Sequence, residues 1–362
     1  MRAAVMREVN KPLTIENVDV SKPGPHEVLL RTAAAGVCHS DLHHLDGTLP
    51  SRLPVILGHE SSAIVEQVGS QVSYVKPGDH VIATYTGFCG HCNPCISGTL
   101  VRCQGTRELR RSREEAPRLS QNGKNVQQFG NLSSFAEQML MHEHNVVKIN
   151  PAMPLDRAAL IGCAVTAGVG AVFHSAAVKP GQSVVVIGCG GIGLAAVNGA
   201  AIAGATRIIA IDRHDSKLEL AKSCGATDIV RVGQEDSVDF VRDMTKGGVD
   251  HAFEAIGLKS TIEQAYAMLA PGGTATILGV PPPTLNIEIP SGDFLLEKKI
   301  QGSYMGSCRP RVDMPVFVDM YLQGRLHLDL LISERIPLED INQAFEGLKS
   351  GKNARSVIVF DD

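Results

Sequence analysis

Four cysteines crowd one short stretch, Cys89-Gly90-His91-Cys92-Asn93-Pro94-Cys95, with Cys103 soon after. Four thiolates at that spacing can close a tetrahedral shell around one cation and leave no position open, the mark of a structural metal. Zinc and an iron–sulfur cluster both suit four sulfur donors. A second set of donors is dispersed: Cys38 in Gly36-Val37-Cys38-His39-Ser40-Asp41, His59 in Gly58-His59-Glu60, and Cys163 in Gly162-Cys163-Ala164. Two thiols and an imidazole are what an open zinc site requires, three protein ligands with a fourth position for water or substrate. Each of the three alone also reads as a small buried thiol or a packed imidazole, and spacing does not bring them together.

A third signal is Gly188-Cys189-Gly190-Gly191-Ile192-Gly193, which fits G-x-G-x-x-G. It follows the apolar run Val184-Val185-Val186-Ile187 and opens an Ala-rich helical stretch, and Asp212 ends the next apolar run about 20 residues on. Glycines there permit a tight turn and let a pyrophosphate approach the helix N-terminus, whose free N–H groups favour anions. Asp212 would accept from ribose hydroxyls and repel a 2′-phosphate, which favours NAD over NADP despite the neighbouring Arg213.

These motifs need two kinds of frame. Before residue 150, β-branched runs such as Glu27–Ala33 and Ser62–Gly69, with the Lys76-Pro77-Gly78-Asp79 turn, predict a β-rich domain. A helical period returns over Pro154–Ala177. From about 165 to 305, apolar strands alternate with helical segments, among them Ser216–Cys224 and Ser260–Leu269, which predicts a doubly wound α/β domain. Pro315–Gln323 and Leu338–Ser350 read as helices and Ser356–Phe360 as a closing strand. The apolar Ala275–Val280 segment reads as an edge strand suited to joining subunits.

At 362 residues two domains are expected. The 44% hydrophobic and 20% charged content is that of a soluble globular chain. A formal charge of −4 gives no basic footprint for nucleic acid. No apolar stretch of membrane-spanning length is evident, because glycine and charge interrupt each candidate. Met1–Met6 reads as strand alternation rather than a secretory signal. Nine cysteines without such a signal point to a reducing, cytoplasmic setting where thiols serve metals.

Gly58-His59-Glu60, Gly36–Asp41 and the four-cysteine run resemble the zinc-containing medium-chain alcohol dehydrogenases, along essentially the whole chain and nearest the long-loop branch with the class III enzymes and bacterial relatives. The resemblance implies a GroES-like, β-rich catalytic domain from residues 1–164 and 306–362, and a Rossmann coenzyme domain over 165–305. It implies two zinc ions per chain, one held by Cys38, His59 and Cys163 with Glu60 beside it, the other by Cys89, Cys92, Cys95 and Cys103. It places Lys217 near the adenosine ribose, His39 and Arg355 near the pyrophosphate, and Ile192 and Val280 around the cofactor. Ser40 would take the alcohol's proton and pass it through the nicotinamide ribose to His43, which delivers it to solvent; His44 reads as a surface histidine and Asp41 as the group fixing the tautomer of His59. Tyr85 and Phe129 would line the substrate channel, with the small Gly130 alongside, a pocket for longer or aromatic primary alcohols and their aldehydes. The charged insertion with Arg107, Arg110, Arg111 and Arg113 keeps a thiol-adduct formaldehyde dehydrogenase as the alternative, although the acidic partner of that class is not evident around Thr48-Leu49-Pro50. Family members are dimers or tetramers, so a homo-oligomer is expected.

Overall fold

In the computed structural model, residues 1–233, 236–351 and 354–360 are described. The chain forms two compact units: Met1–Cys163 with Arg309–Leu322 and Ile332–Asp362, and Ala164–Cys308 with Gln323–Leu331. The short segment 323–331, which the sequence groups with the first domain, clusters with the second unit.

The first unit is organised on one long strand, Glu27–Val37, whose Val, Leu and Ala residues are almost wholly buried. Glu60–Val68, Gln138–His142 and Ser356–Val359 all pair antiparallel to it. His80–Ala83 continues the sheet beyond Glu60–Val68, and the turn that feeds it is closed by Asp79 N–H donating to the Lys76 carbonyl at 3.1 Å. The closing strand sets Ser356 opposite Val37, which carries Arg355 to the level of Cys38. Helix Ile341–Lys349 buries Ile341, Ala344, Phe345 and Leu348, the stripe expected of a helix with one inward face. That stripe joins a core with Met6, Ile56 and Phe135.

In the second unit six strands run parallel: Ser183–Ile187, Arg207–Asp212, Asp228–Arg231, Val249–Glu254, Leu269–Ile277 and Lys299–Gly302. Across the sheet they stand third, second, first, fourth, fifth, sixth, the order of a dinucleotide-binding doubly wound fold. Helices Gly191–Ile202, Asp215–Ser223, Ser237–Thr245 and Lys259–Ala267 connect them. The sheet corrects one expectation. Ala275–Ile277 pairs on both sides, and the edge is Lys299–Gly302, whose mixed Lys-Ile-Gln-Gly sequence carries little strand signal.

A second correction concerns length. The helical run Leu155–Ser175 spans 21 residues and contains an 18-residue window of mean hydropathy 1.6, long and apolar enough to cross a bilayer, but 83% of that window is buried inside the protein. It is a core helix, and its turns widen to π geometry at Ile161–Val165 and Ala171–Ser175.

Candidate metal centres and nucleotide loop

Cys38 ends the central strand and caps the short helix His39–Leu45, His59 precedes the strand Glu60–Val68, and Cys163 lies in the first π-helical turn. A π turn re-aims one side chain without ending the helix, and such turns recur at functional sites. The three ligand atoms converge within 4.8 Å of one another, and all three residues are buried. Cys163 Sγ stands 3.3 Å from His59 Nε2.

Asp41, fully buried, organises this convergence. Its Oδ1 accepts from His59 Nδ1 and from the Gly58 N–H, each at 3.0 Å, and its Oδ2 accepts from the Cys38 N–H at 3.2 Å. The Nδ1 contact leaves Nε2 facing the thiols with its lone pair, as a metal ligand requires. The three donors act strongly on one another. A hydrogen bond from Cys163 pulls the Cys38 thiol well below its usual range, while the same contact and burial push Cys163 well above it. Burial opposes protonation of His59, yet Asp41 and Cys38 hold its pKa well above the ordinary value. Two sulfurs and one nitrogen in a buried triangle fit a divalent zinc with one position to spare.

Behind them lie Glu60 and Arg355, both buried. Arg355 Nε stands 3.4 Å from Glu60 Oε1, and its Nη1 donates to the Val37 carbonyl at 3.1 Å. Burial pushes the Glu60 carboxyl up to about 7, with Arg355 opposing. Arg355, the residue expected at the pyrophosphate, thus also stands beside Glu60 behind the triad.

The rings of Tyr85 and Phe129 meet the His59 imidazole edge-on at 5.4 and 5.6 Å. The expectation of a surface His44 is corrected: it is half-buried, with Nδ1 2.9 Å from Ser51 Oγ and its ring 4.6 Å from that of Phe129. His43 is half-buried on the same short helix, its Nδ1 without a hydrogen-bond partner among the described residues, and its ring stands 6.2 Å from that of the exposed His39. Ser40 is half-buried in the helix's first turn.

The four-cysteine lobe is a separate centre. Cys89, Cys92, Cys95 and Cys103 bring their sulfurs within 4.8 Å of one another, with Cys89–Cys95 and Cys92–Cys103 both at 3.9 Å. A tetrahedron with metal–sulfur bonds of about 2.3 Å has edges of about 3.8 Å, so four thiolates here fit a closed zinc site. A backbone hydrogen bond from Gln104 brings Cys92 down to about 6, and burial raises Cys95 to about 12. All nine cysteines are free of disulfides.

In the second unit each glycine of the loop does a different job. Gly188 holds a φ of +93°, a left-handed turn that glycine adopts without strain. A Cβ on Gly190 would meet nothing within 4 Å, which leaves open space for a pyrophosphate, whereas a Cβ on Gly193 would fall 1.7 Å from the Gly188 carbonyl oxygen. Gly191 begins the helix. Asp212 Oδ2 accepts from the Cys189 N–H at 2.8 Å, so the carboxylate expected at the ribose also braces the glycine loop. Ile192 and Lys217 are half-buried near this loop's helix and the next, and Val280 is 42% exposed. Open backbone at a helix start beside a carboxylate fits a dinucleotide.

Sequence reasoning missed Glu254, fully buried at the end of the fourth strand. Its Oε1 accepts from the N–H groups of Ile256 and Gly257 at 2.9 and 2.8 Å and from Thr261 Oγ1 at 2.7 Å, shaping the loop beside the nucleotide turn. An ionisable residue closing an otherwise apolar strand was its signal. Glu27 was missed as well; it clamps Arg111 and Arg118 of the charged insertion.

Residues 24–151 match the family of alcohol dehydrogenase GroES-like domains, and residues 191–322 match the zinc-binding dehydrogenase family. An S-(hydroxymethyl)glutathione dehydrogenase of a Synechocystis species is 40% identical over 366 residues, covering 99% of each chain. Alcohol dehydrogenase 1 of Pisum sativum is 36% identical over 370 residues, covering 100% of this chain and 97% of its own. The crystal structure of benzyl alcohol dehydrogenase from Acinetobacter calcoaceticus superimposes with a TM-score of 0.94 at 32% identity, covering 99% of both chains.

Proposed function

The chain belongs to the zinc-containing medium-chain alcohol dehydrogenases, and from that premise we propose which of its residues act and on what class of alcohol. It is an NAD-dependent zinc enzyme that interconverts alcohols and aldehydes. When bound, zinc lowers the pKa of an alcohol in its open position and NAD accepts the hydride. Cys38, His59 and Cys163 hold that zinc, and Asp41 fixes the tautomer and orientation of His59. Glu60 and Arg355 set the charge behind it. Ser40 takes the proton that the alcohol sheds, and His43 returns it to solvent. Cys89, Cys92, Cys95 and Cys103 hold a second, structural zinc. Gly188, Gly190, Gly191, Ile192, Gly193, Asp212, Lys217 and Val280 form the NAD site, with His39 supporting its pyrophosphate.

The substrates are primary alcohols with bulky or aromatic groups. The observation that carries this is the pair of rings, Tyr85 and Phe129, standing edge-on to His59, with Gly130 leaving room beside them. The likeness to a benzyl alcohol dehydrogenase supports the same class. The alternative, a thiol-adduct formaldehyde dehydrogenase, draws support from the 40% identical relative. Against it, Arg111 is committed to Glu27 rather than free for a substrate carboxylate. The enzyme acts in the cytoplasm as a homodimer or tetramer. The free sheet edge Lys299–Gly302 and the neighbouring exposed Phe294, Leu295 and Leu296 support that assembly.

NADH formation with ethanol, hexanol and benzyl alcohol, and with formaldehyde plus glutathione, tests the reading. Higher kcat/KM for benzyl alcohol than for ethanol is expected, with loss of turnover on zinc chelation. Turnover with the glutathione adduct alone would replace the aromatic-alcohol reading with the alternative.

A further inference from the structure

The insertion after the four-cysteine lobe is strongly basic, yet its arginines divide into two groups. Arg111 and Arg118 are consumed by one buried carboxylate: Arg111 Nε and Nη2 donate to Glu27 at 3.1 and 2.5 Å, and Arg118 Nε donates to it at 2.7 Å. The same two side chains tie down the loop, Arg111 to the carbonyls of Lys22 and Ala116 and Arg118 to that of Leu109. Arg52, Arg110 and Arg113 are exposed, and among the described residues their side chains have no hydrogen-bond or ion-pair partner.

All five arginines line one cavity of about 530 Å³, a volume in the range of small-molecule sites. Glu115 is the only acidic residue in its lining, and its Oε2 is occupied by the Ser112 N–H at 2.6 Å. The floor is amide, and it is fixed: Gln128 Nε2 donates to the Leu140 carbonyl at 2.9 Å while its Oε1 accepts from Arg118. Three exposed guanidinium groups thus line one concavity that holds a single carboxylate, Glu115, which makes no ion pair with them among the described residues, in a chain whose formal charge is −4. Scattered surface arginines would not require a loop pinned from behind. Here the pinned pair holds the loop that carries Arg110 and Arg113 at a cavity that Arg52 also lines, so less backbone entropy is lost when an anion binds. Guanidinium forks suit the planar oxygens of carboxylate and phosphate.

We propose that this cavity is a binding site for a small multivalent anion, a phosphate- or carboxylate-bearing molecule of at least two negative charges. The site does not depend on the substrate assignment above, although Gly130 lines both pockets. The cavity belongs to the first unit and uses none of the residues assigned to the nucleotide, to metal or to proton transfer.

Isothermal titration calorimetry of the zinc-loaded enzyme, saturated with NADH and at low ionic strength, reads the site directly. The probes are inorganic phosphate and propane-1,2,3-tricarboxylate, which separate a phosphate source from a carboxylate one. Binding of one or both at one site per chain is expected, weakening at least about tenfold in Arg110→Ala/Arg113→Ala and falling as salt rises. Arg107→Ala, in the same loop but outside the cavity, should bind as wild type, and benzyl alcohol turnover should persist in every variant. No binding of either probe, unchanged affinity in the double variant, or equal weakening in Arg107→Ala would overturn the site; the last result would mean diffuse surface charge.

Discussion

Asp41 Oδ1 lies 3.0 Å from His59 Nδ1, and the same oxygen accepts from the Gly58 N–H, so one buried carboxylate sets both the backbone and the ring of a metal ligand. Its other oxygen holds the Cys38 N–H. Two of the three ligands of the dispersed centre are therefore positioned by a single side chain.

Replacing Asp41 should for that reason release one zinc and spare the other. In Asp41→Asn the uncharged amide can still bond the ring, but it no longer stabilises the tautomer that frees Nε2. Zinc affinity at this centre should fall by about 10- to 100-fold. Metal analysis after dialysis against a mild chelator should give about one zinc per chain in the variant and about two in the wild type. Equal loss from both centres would contradict the separation.

The glycine loop gives a paired prediction. A methyl group at position 193 has the Gly188 carbonyl 1.7 Å away and nowhere to go, so Gly193→Ala should destabilise the second unit by about 3 kcal/mol. Gly190→Ala meets nothing in the protein, so its melting should be almost unchanged. Its added methyl occupies space that a pyrophosphate needs, and the dissociation constant for NADH should rise about tenfold. Calorimetric melting with NADH titration separates the two effects.

How much of this was legible beforehand follows from sequence distance. The glycine loop and the four-cysteine lobe are local: their atoms meet because neighbouring residues turn tightly, and local motifs can be read from one segment. The meeting of Cys38, His59 and Cys163 depends on two sheet strands and a π turn that no window contains, so only resemblance suggested it. Arg355 shows what distance hides. Its place beside Glu60 follows from the pairing of Ser356 with Val37, a register that neither segment announces. The edge strand Lys299–Gly302 escaped notice because an edge tolerates polar residues that a buried strand does not.

Glu27 predicts how the first unit responds to acid. Burial disfavours its charge, but hydrogen bonding to Arg111 and the field of Arg118 win, and the carboxyl titrates at about 2 instead of 4.5. A depressed carboxyl contributes stability above its unfolded pKa and loses it as protons bind the native state. That contribution should be complete above about pH 4.5 and disappear as pH falls towards 2. Glu27→Gln removes it and strands Arg118, which is 7% exposed, so about 3 kcal/mol should be lost at neutral pH. Denaturant melts of both proteins should converge as the solution approaches pH 2. A constant gap across that range would show that packing, not charge, sets the cost.

Tyr85 and Gly130 predict the shape of the substrate pocket. A Cβ at position 130 would stand 3.1 Å from Tyr85 Cβ, and Gly130 already has a φ of +59° that other residues reach only with strain. Gly130→Ala should therefore displace Tyr85, whose ring meets the imidazole of His59 at 5.4 Å. An aromatic alcohol needs the space beside Tyr85 that the added methyl group takes, while a two-carbon alcohol needs little of it. kcat/KM for benzyl alcohol should fall about tenfold and that for ethanol by less than about twofold, a difference in the range expected for a misfit of one or two methylene groups. Tyr85→Ala should act in the opposite direction and admit larger alcohols, with weaker discrimination among them. Parallel losses for both alcohols in Gly130→Ala would instead mean that the strained turn disturbs His59 itself, and zinc content measured on the same sample would reveal that disturbance.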